Sequence, residues 1–183
     1  MHFSLLRPLQ SSAVMSRYRK LSTPRLLAER LPALGNVLYV PMHDPVRSDD
    51  KLPSGLLAGS LSLAPLLQVR ALLAVSMIDV EGPREWIECL DGSGRPRVRL
   101  YLLPDTDYCA WDAMLDCGQP APLASLPSRH SIPCNAEATM LRFRWRRLAG
   151  LRLLQAETAA QASELSRQLA EQMTHFRFTL ERH

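Results

Sequence analysis

Apolar and polar residues alternate most strictly in two stretches of the chain. In the first, Glu85-Trp86-Ile87-Glu88-Cys89-Leu90 reads as a strand and Arg97-Val98-Arg99-Leu100-Tyr101-Leu102-Leu103 as its return. Val98, Leu100 and Leu102 share one face, and Arg97, Arg99 and Tyr101 share the other, as a period of two requires. Between them stands Asp91-Gly92-Ser93-Gly94, whose glycines supply positive φ without steric cost. Pro96 falls at the start of the return strand, where a missing N–H is tolerated. This predicts a β-hairpin from Trp86 to Leu103. The second stretch, Thr139 to Trp145, sets Leu141, Phe143 and Trp145 against Arg142, Arg144 and Arg146 and predicts another strand.

Elsewhere the spacing is helical or mixed. Thr23-Pro24 combines an N-cap residue with proline at the first helical position, and Leu26, Leu27 and Leu31 follow at helical intervals until Pro32 and Gly35 stop them. Asn36 to Val40 is β-prone, and His43 to Pro53 is a polar loop. Gly55 to Ile78 mixes both periods: Ser60 to Leu63 alternates, Pro65 to Leu73 suits a short helix, and Ala74 to Val80 suits a strand. After Pro104, Asp105 or Thr106 can cap a helix with Tyr108, Trp111, Met114 and Leu115 on its apolar side, ended by Cys117-Gly118. Four prolines between Gln119 and Glu137 predict a loop. From Leu151 to Leu180, apolar residues recur every three or four positions, which predicts one long amphipathic helix. The fold class expected is α+β: an antiparallel sheet flanked by helices and closed by a long C-terminal helix.

Length and charge narrow the picture. With 183 residues, 46% of them apolar, the chain can bury one sizeable core without metal or disulfide staples. Residues 1–28 hold no acid, and residues 1–20 read as a disordered leader ahead of a single domain at 21–183. No run of eighteen apolar residues suggests a membrane span. Cys89, Cys109, Cys117 and Cys134 form no C-x-x-C pair, so they read as reduced thiols of a cytoplasmic protein. Lys20 and Lys51 are the only lysines; the remaining basic residues are arginines, suited to bidentate contacts with carboxylate or phosphate. Acids nearly balance bases, with a net charge of +4 and no basic block, which argues against a nucleic-acid partner.

The stretch Gly82-Pro83-Arg84-Glu85-Trp86-Ile87-Glu88-Cys89-Leu90-Asp91-Gly92-Ser93-Gly94, continued through Arg97 to Leu102 and Asp105 to Leu115, resembles the cytosolic haem-utilisation proteins of the HemS, ChuX and HutX type. Leu31-Pro32-Ala33-Leu34-Gly35-Asn36-Val37-Leu38 is similar to the family's entry into its sheet, so the resemblance covers about residues 31–115 with a gap. It implies a split-barrel-like sheet flanked by helices, haem as cofactor, and a homodimer working in haem uptake and trafficking. At this length the chain would correspond to one structural half of the two-repeat haem-degrading members or to a single-repeat carrier, and the carrier is the reading preferred over catalytic haem breakdown.

Within that expectation, His43 is the candidate axial ligand of haem iron, with Met42 before it and Asp44 able to orient its ring. Arg97, Arg99, Arg142 and Arg144 are the candidate partners of the propionates, provided their strands are neighbours; a solvated outer face is the competing reading. His130 and His175 suit exposure or packing better than ligation. Trp86, Tyr108, Trp111 and Trp145 can wall a planar ligand or fill a core. No Ser–His–Asp, H-E-x-x-H or phosphate-loop pattern announces catalysis. The alternative function is a non-catalytic dimeric scaffolding module, paired through the C-terminal helix.

Overall fold

A computed structural model describes residues 14–42, 56–79, 82–123 and 138–180. Among these residues, nine strands form one sheet: β1 (Val14–Leu21), β2 (Asn36–Pro41), β3 (Leu57–Ala58), β4 (Ala71–Asp79), β5 (Gly82–Leu90), β6 (Pro96–Tyr101), β7 (Pro120–Ala121), β8 (Thr139–Leu148) and β9 (Leu151–Thr158). Their order across the sheet is β3-β9-β8-β2-β6-β5-β4-β1-β7. All pairings are antiparallel except β3 with β9. Three α-helices, α1 (Pro24–Arg30), α2 (Tyr108–Asp116) and α3 (Glu164–Leu180), complete the architecture with two 3-10 helices at Leu31–Leu34 and Leu61–Gln68. The α+β class is thus observed, as a large, mostly antiparallel sheet.

The predicted hairpin is β5–β6, paired Glu88 to Arg99 and Trp86 to Tyr101, with a bulge at Cys89/Leu90. Asp91 builds its turn: Oδ1 accepts from Ser93 N (2.8 Å), Ser93 Oγ (2.7 Å) and Arg95 N (3.0 Å). Helix α1 starts as the sequence implies, with Thr23 Oγ1 accepting from Leu26 N at 3.2 Å. The cap of α2 is Asp107, whose Oδ1 accepts from Ala110 N, and not Asp105 or Thr106. Those two are committed elsewhere. Thr106 Oγ1 donates to Asn36 O (2.5 Å) and accepts from Leu103 N (2.9 Å), tying β2 to the end of β6. Asp105 accepts from Ser163 N (2.6 Å), and its own N donates to Ser166 Oγ (3.2 Å), which pins the start of α3.

Two expectations give way. The helix predicted from Leu151 is a strand as far as Thr158, paired with β8 from Leu148↔Leu151 to Leu141↔Thr158. The cause lies in the turn: Ala149 (φ 47°) and Gly150 (φ 80°) are both left-handed, the geometry of a two-residue hairpin loop whose twist suits its strands. Helix α3 begins only at Glu164, with Ser163 Oγ accepting from Ser166 N. The supposed leader also joins the sheet. Val14 to Leu21 pairs along its whole length with β4, and Arg19 and Lys20 also pair with β7, while residues 1–13 of that leader lie outside the described residues. In the ambiguous region, Ser60–Leu63 leads into a 3-10 helix, and the strand begins at Ala71.

The middle of the sheet is buried on both faces. One face carries Val37, Tyr39, Leu72, Ala74, Ile87, Cys89, Val98, Leu100, Phe143 and Leu154 and packs under α1, α2 and both 3-10 helices through Leu27, Leu31, Leu34, Leu63, Leu66, Trp111 and Met114. Each fully buried large side chain here contributes about 1.5–3 kcal/mol. On the opposite face, Leu38, Val40, Met42 and Leu103 pack against Ala170 and Met173 of α3. A third cluster, Ala71, Leu73, Val75 and Leu90 with Trp86, lies on that same face toward β4. No helix among the described residues is long and apolar enough to cross a membrane.

Candidate functional site

The arginines of β6 sit on the α3 side of the sheet, and they are buried. Arg97 is 4% and Arg99 7% exposed, so the solvated-face reading fails for both. Burial of a guanidinium requires compensation. Arg99 Nη2 lies 2.8 Å from Glu88 Oε1, its cross-strand neighbour, and Arg97 Nε lies 2.8 Å from Asp91 Oδ2. Glu88 also accepts from Trp86 Nε1 at 3.4 Å. Burial by itself would raise the pKa of Asp91, but the bonds from Ser93 and Arg95 and the charge of Arg97 outweigh it and hold the carboxyl below its ordinary range.

Register places further groups on this face. Trp86, opposite Tyr101, packs against it with ring centroids 5.8 Å apart and the ring planes tilted by 36°, and both rings remain partly exposed. Arg84, two residues before Trp86, is 6% exposed. Arg17 and Arg19 of β1 lie opposite Val75 and Leu73, which puts them on the same side two strands away from β5. The buried charges described here are three guanidiniums, Arg84, Arg97 and Arg99, against the carboxylates of Glu88 and Asp91. Arg99 Nε has no hydrogen-bond partner among the described residues although it is shielded from solvent. This patch can accept an anion beside a flat aromatic surface. Glu88 and Asp91 could have been read as the arginines' partners from the hairpin register alone.

The other arginine row is not part of it. Strand β2 separates β6 from β8, with Val40 opposite Arg99 and Asn36 opposite Arg142. Both rows do face the α3 side. Two strand spacings sideways and four residues along β2 nevertheless put the Arg99 and Arg142 backbones roughly 16 Å apart. Arg144 is farther still, and α3 packs on the apolar residues of β2 between the rows. Arg142 and Arg144 are exposed, and Arg144 pairs with Glu157. The condition under which the rows would form one cationic site, adjacent strands, is therefore not met.

His43 and His130 lie outside the described residues, as does Cys134. Met42, the residue before His43, donates its N–H to Arg97 O at 2.8 Å, so the chain leaves the described sheet at the buried arginines. The four aromatic candidates divide. Trp111 is core, Tyr108 is exposed, and Trp145 is on the far face under Arg152, 4.2 Å from its ring; only Trp86 borders the arginines. Cys89 is buried, and burial pushes its thiol well above the usual range, so it is inert as a nucleophile.

No protein-family model matches the chain, and no curated protein does. Among solved structures it is similar to the haem-degrading enzyme ChuS of Escherichia coli O157:H7, at 16% identity and a TM-score of 0.42 over 63% of this chain. A second structure of ChuS, described as an E. coli haem oxygenase, gives 17% identity and a TM-score of 0.39 over 62% of this chain. The matched region spans 40% of each ChuS chain. At these scores the likeness fixes neither a common fold nor a site.

Proposed function

We propose that the chain binds haem on the sheet face bearing Trp86, Tyr101, Arg84, Arg97 and Arg99, and serves as a carrier in haem uptake. One observation carries the reading: Arg99 is buried beside the tilted Trp86–Tyr101 ring pair, and among the described residues its Nε–H meets no acceptor. A ligand that joins a carboxylate to a flat apolar ring answers both features, and haem is such a ligand. The residue resemblance over 31–115 points the same way. Arg99 would take a propionate oxygen, Trp86 and Tyr101 would lie against the macrocycle, and the Glu88 and Asp91 carboxylates would keep the guanidiniums oriented. His43, next in the chain to Met42, would supply the axial nitrogen. Haem supplies the redox-active iron; this chain supplies the pocket wall and charge balance.

Hemin titration followed by absorbance tests this. Saturable binding with a shifted Soret band is expected, and Arg99→Gln should weaken it about tenfold or more, the worth of one charged hydrogen bond. His43→Ala should alter the Soret position with smaller loss of affinity. No Soret shift with the parent protein overturns the haem reading. An unchanged affinity for Arg99→Gln removes this face as the site.

A further inference from the structure

The end of the β8–β9 hairpin is open to solvent. Residues 146–152 are exposed on both faces, unlike the same strands nearer α3. Register brings four leucines together at this end. Leu148 pairs with Leu151, Leu153 follows two residues on along the same face, and Leu57 of β3 pairs with Leu153. Leu148, Leu151 and Leu57 are 58%, 50% and 41% exposed, so the strip is open to solvent. Arginines surround it: Arg142, Arg144 and Arg146 on the leucine face, and Arg147 and Arg152 paired directly across the hairpin on the other. Glu157 is the one acid on the two strands. Like charges placed opposite each other destabilise a strand pair; among the described residues Arg152 lies over Trp145 and, at 3.7 Å, beside Glu29. A polyanion laid against the hairpin would offset that repulsion.

We infer that this leucine-tipped, arginine-sided hairpin docks on the surface of an anionic phospholipid bilayer. The combination selects the partner. A hairpin end with exposed apolar side chains at its tip and guanidiniums along its flanks can sink the leucines to the acyl boundary while the arginines meet lipid phosphates. A single-stranded nucleic acid would satisfy the arginines too, but it needs aromatic platforms for its bases, and the leucine face offers none. The surface is remote from Arg97 and Arg99, so a ligand there and a membrane here do not compete for residues.

Co-sedimentation with vesicles of phosphatidylcholine alone, and of phosphatidylcholine mixed with phosphatidylglycerol, tests the inference on the full chain. Binding should occur only to the mixed vesicles and fall with added salt. Each of Arg146→Gln and Arg147→Gln should lower partitioning about fivefold. The double variant Leu148→Ser/Leu151→Ser should also weaken it, whereas Leu165→Ser, exposed on α3, should not. A tryptophan placed by Leu148→Trp should shift its emission to the blue on mixed vesicles, which reads insertion directly. Equal partitioning to both vesicle types overturns the inference. So does an unshifted tryptophan, or tighter binding to a single-stranded RNA that the leucine variants leave intact.

Discussion

Replacing Asp91 with alanine should be among the most damaging single changes to this fold. The carboxylate accepts three hydrogen bonds at Oδ1 and the guanidinium of Arg97 at Oδ2, with the two side chains 7% and 5% exposed. Asp91→Ala removes the turn's acceptor and takes the carboxylate from a buried cation at once. Breaking a buried pair from one side costs about 3–5 kcal/mol. Against a typical domain stability of about 5–15 kcal/mol, that is a large fraction. Urea unfolding followed by circular dichroism measures it. Asp91→Asn keeps an oxygen for Ser93 N and Arg95 N but gives up the charge, so it should fall between parent and alanine variant. The pH dependence separates the two contributions. The folded pKa of Asp91 is depressed, so its charge stabilises the fold fully above the unfolded value of 3.8, and this contribution is lost as pH falls through the lower folded value. The gap between parent and Asp91→Asn should therefore be constant near neutrality and narrow in acid below that value. A loss under about 1 kcal/mol for Asp91→Ala, the scale of an exposed pair, would refute the account of the turn.

Gly118→Ala should destabilise severely: φ is +114° and a Cβ there would lie 2.1 Å from Leu21 O, so thermal unfolding should show a clear fall in Tm. Ala149→Gly should stabilise by up to about 1 kcal/mol, because the left-handed φ of 47° penalises a Cβ more than the glycine costs in chain entropy; chemical denaturation reads it. Thr106→Val should cost about 1–3 kcal/mol by the same assay, since Leu103 N–H and Asn36 C=O lose a buried partner. Arg144→Ala should change stability by less than about 1 kcal/mol, because its pair with Glu157 is half exposed.

Elements with their own punctuation were legible. Thr23-Pro24 announced α1, the Asp-Gly-Ser-Gly turn announced β5–β6, and the Leu/Phe/Trp alternation announced β8. Failures came where two periods coincide. Leu151, Leu154 and Thr158 suit a helix as well as a half-buried strand, and only the left-handed Ala149-Gly150 pair decides for the strand. Val14–Leu21 was hidden by its basic composition and by its lack of alternation, since Val14-Met15 and Arg19-Lys20 each put like residues on both faces. For the candidate site, strand faces were readable and strand neighbours were not. Local sequence put Arg97 and Arg99 together, but the insertion of β2 beside Arg142 depends on contacts more than a hundred residues apart. Burial of those arginines followed from Glu88 and Asp91, within the same hairpin.

The central position of β2 also governs how the chain emerges during synthesis. Its two neighbours are β6 and β8, and the Leu38–Met140 pairing joins segments made far apart in time. At about 5–20 residues per second, one edge of an almost wholly apolar strand waits roughly 5–20 s for its last partner. During that interval Val37, Leu38, Tyr39 and Val40 present an unpaired ladder to every other nascent chain nearby. Growth temperature and the supply of holding chaperones should therefore decide the yield of soluble protein more than the stability of the finished sheet does.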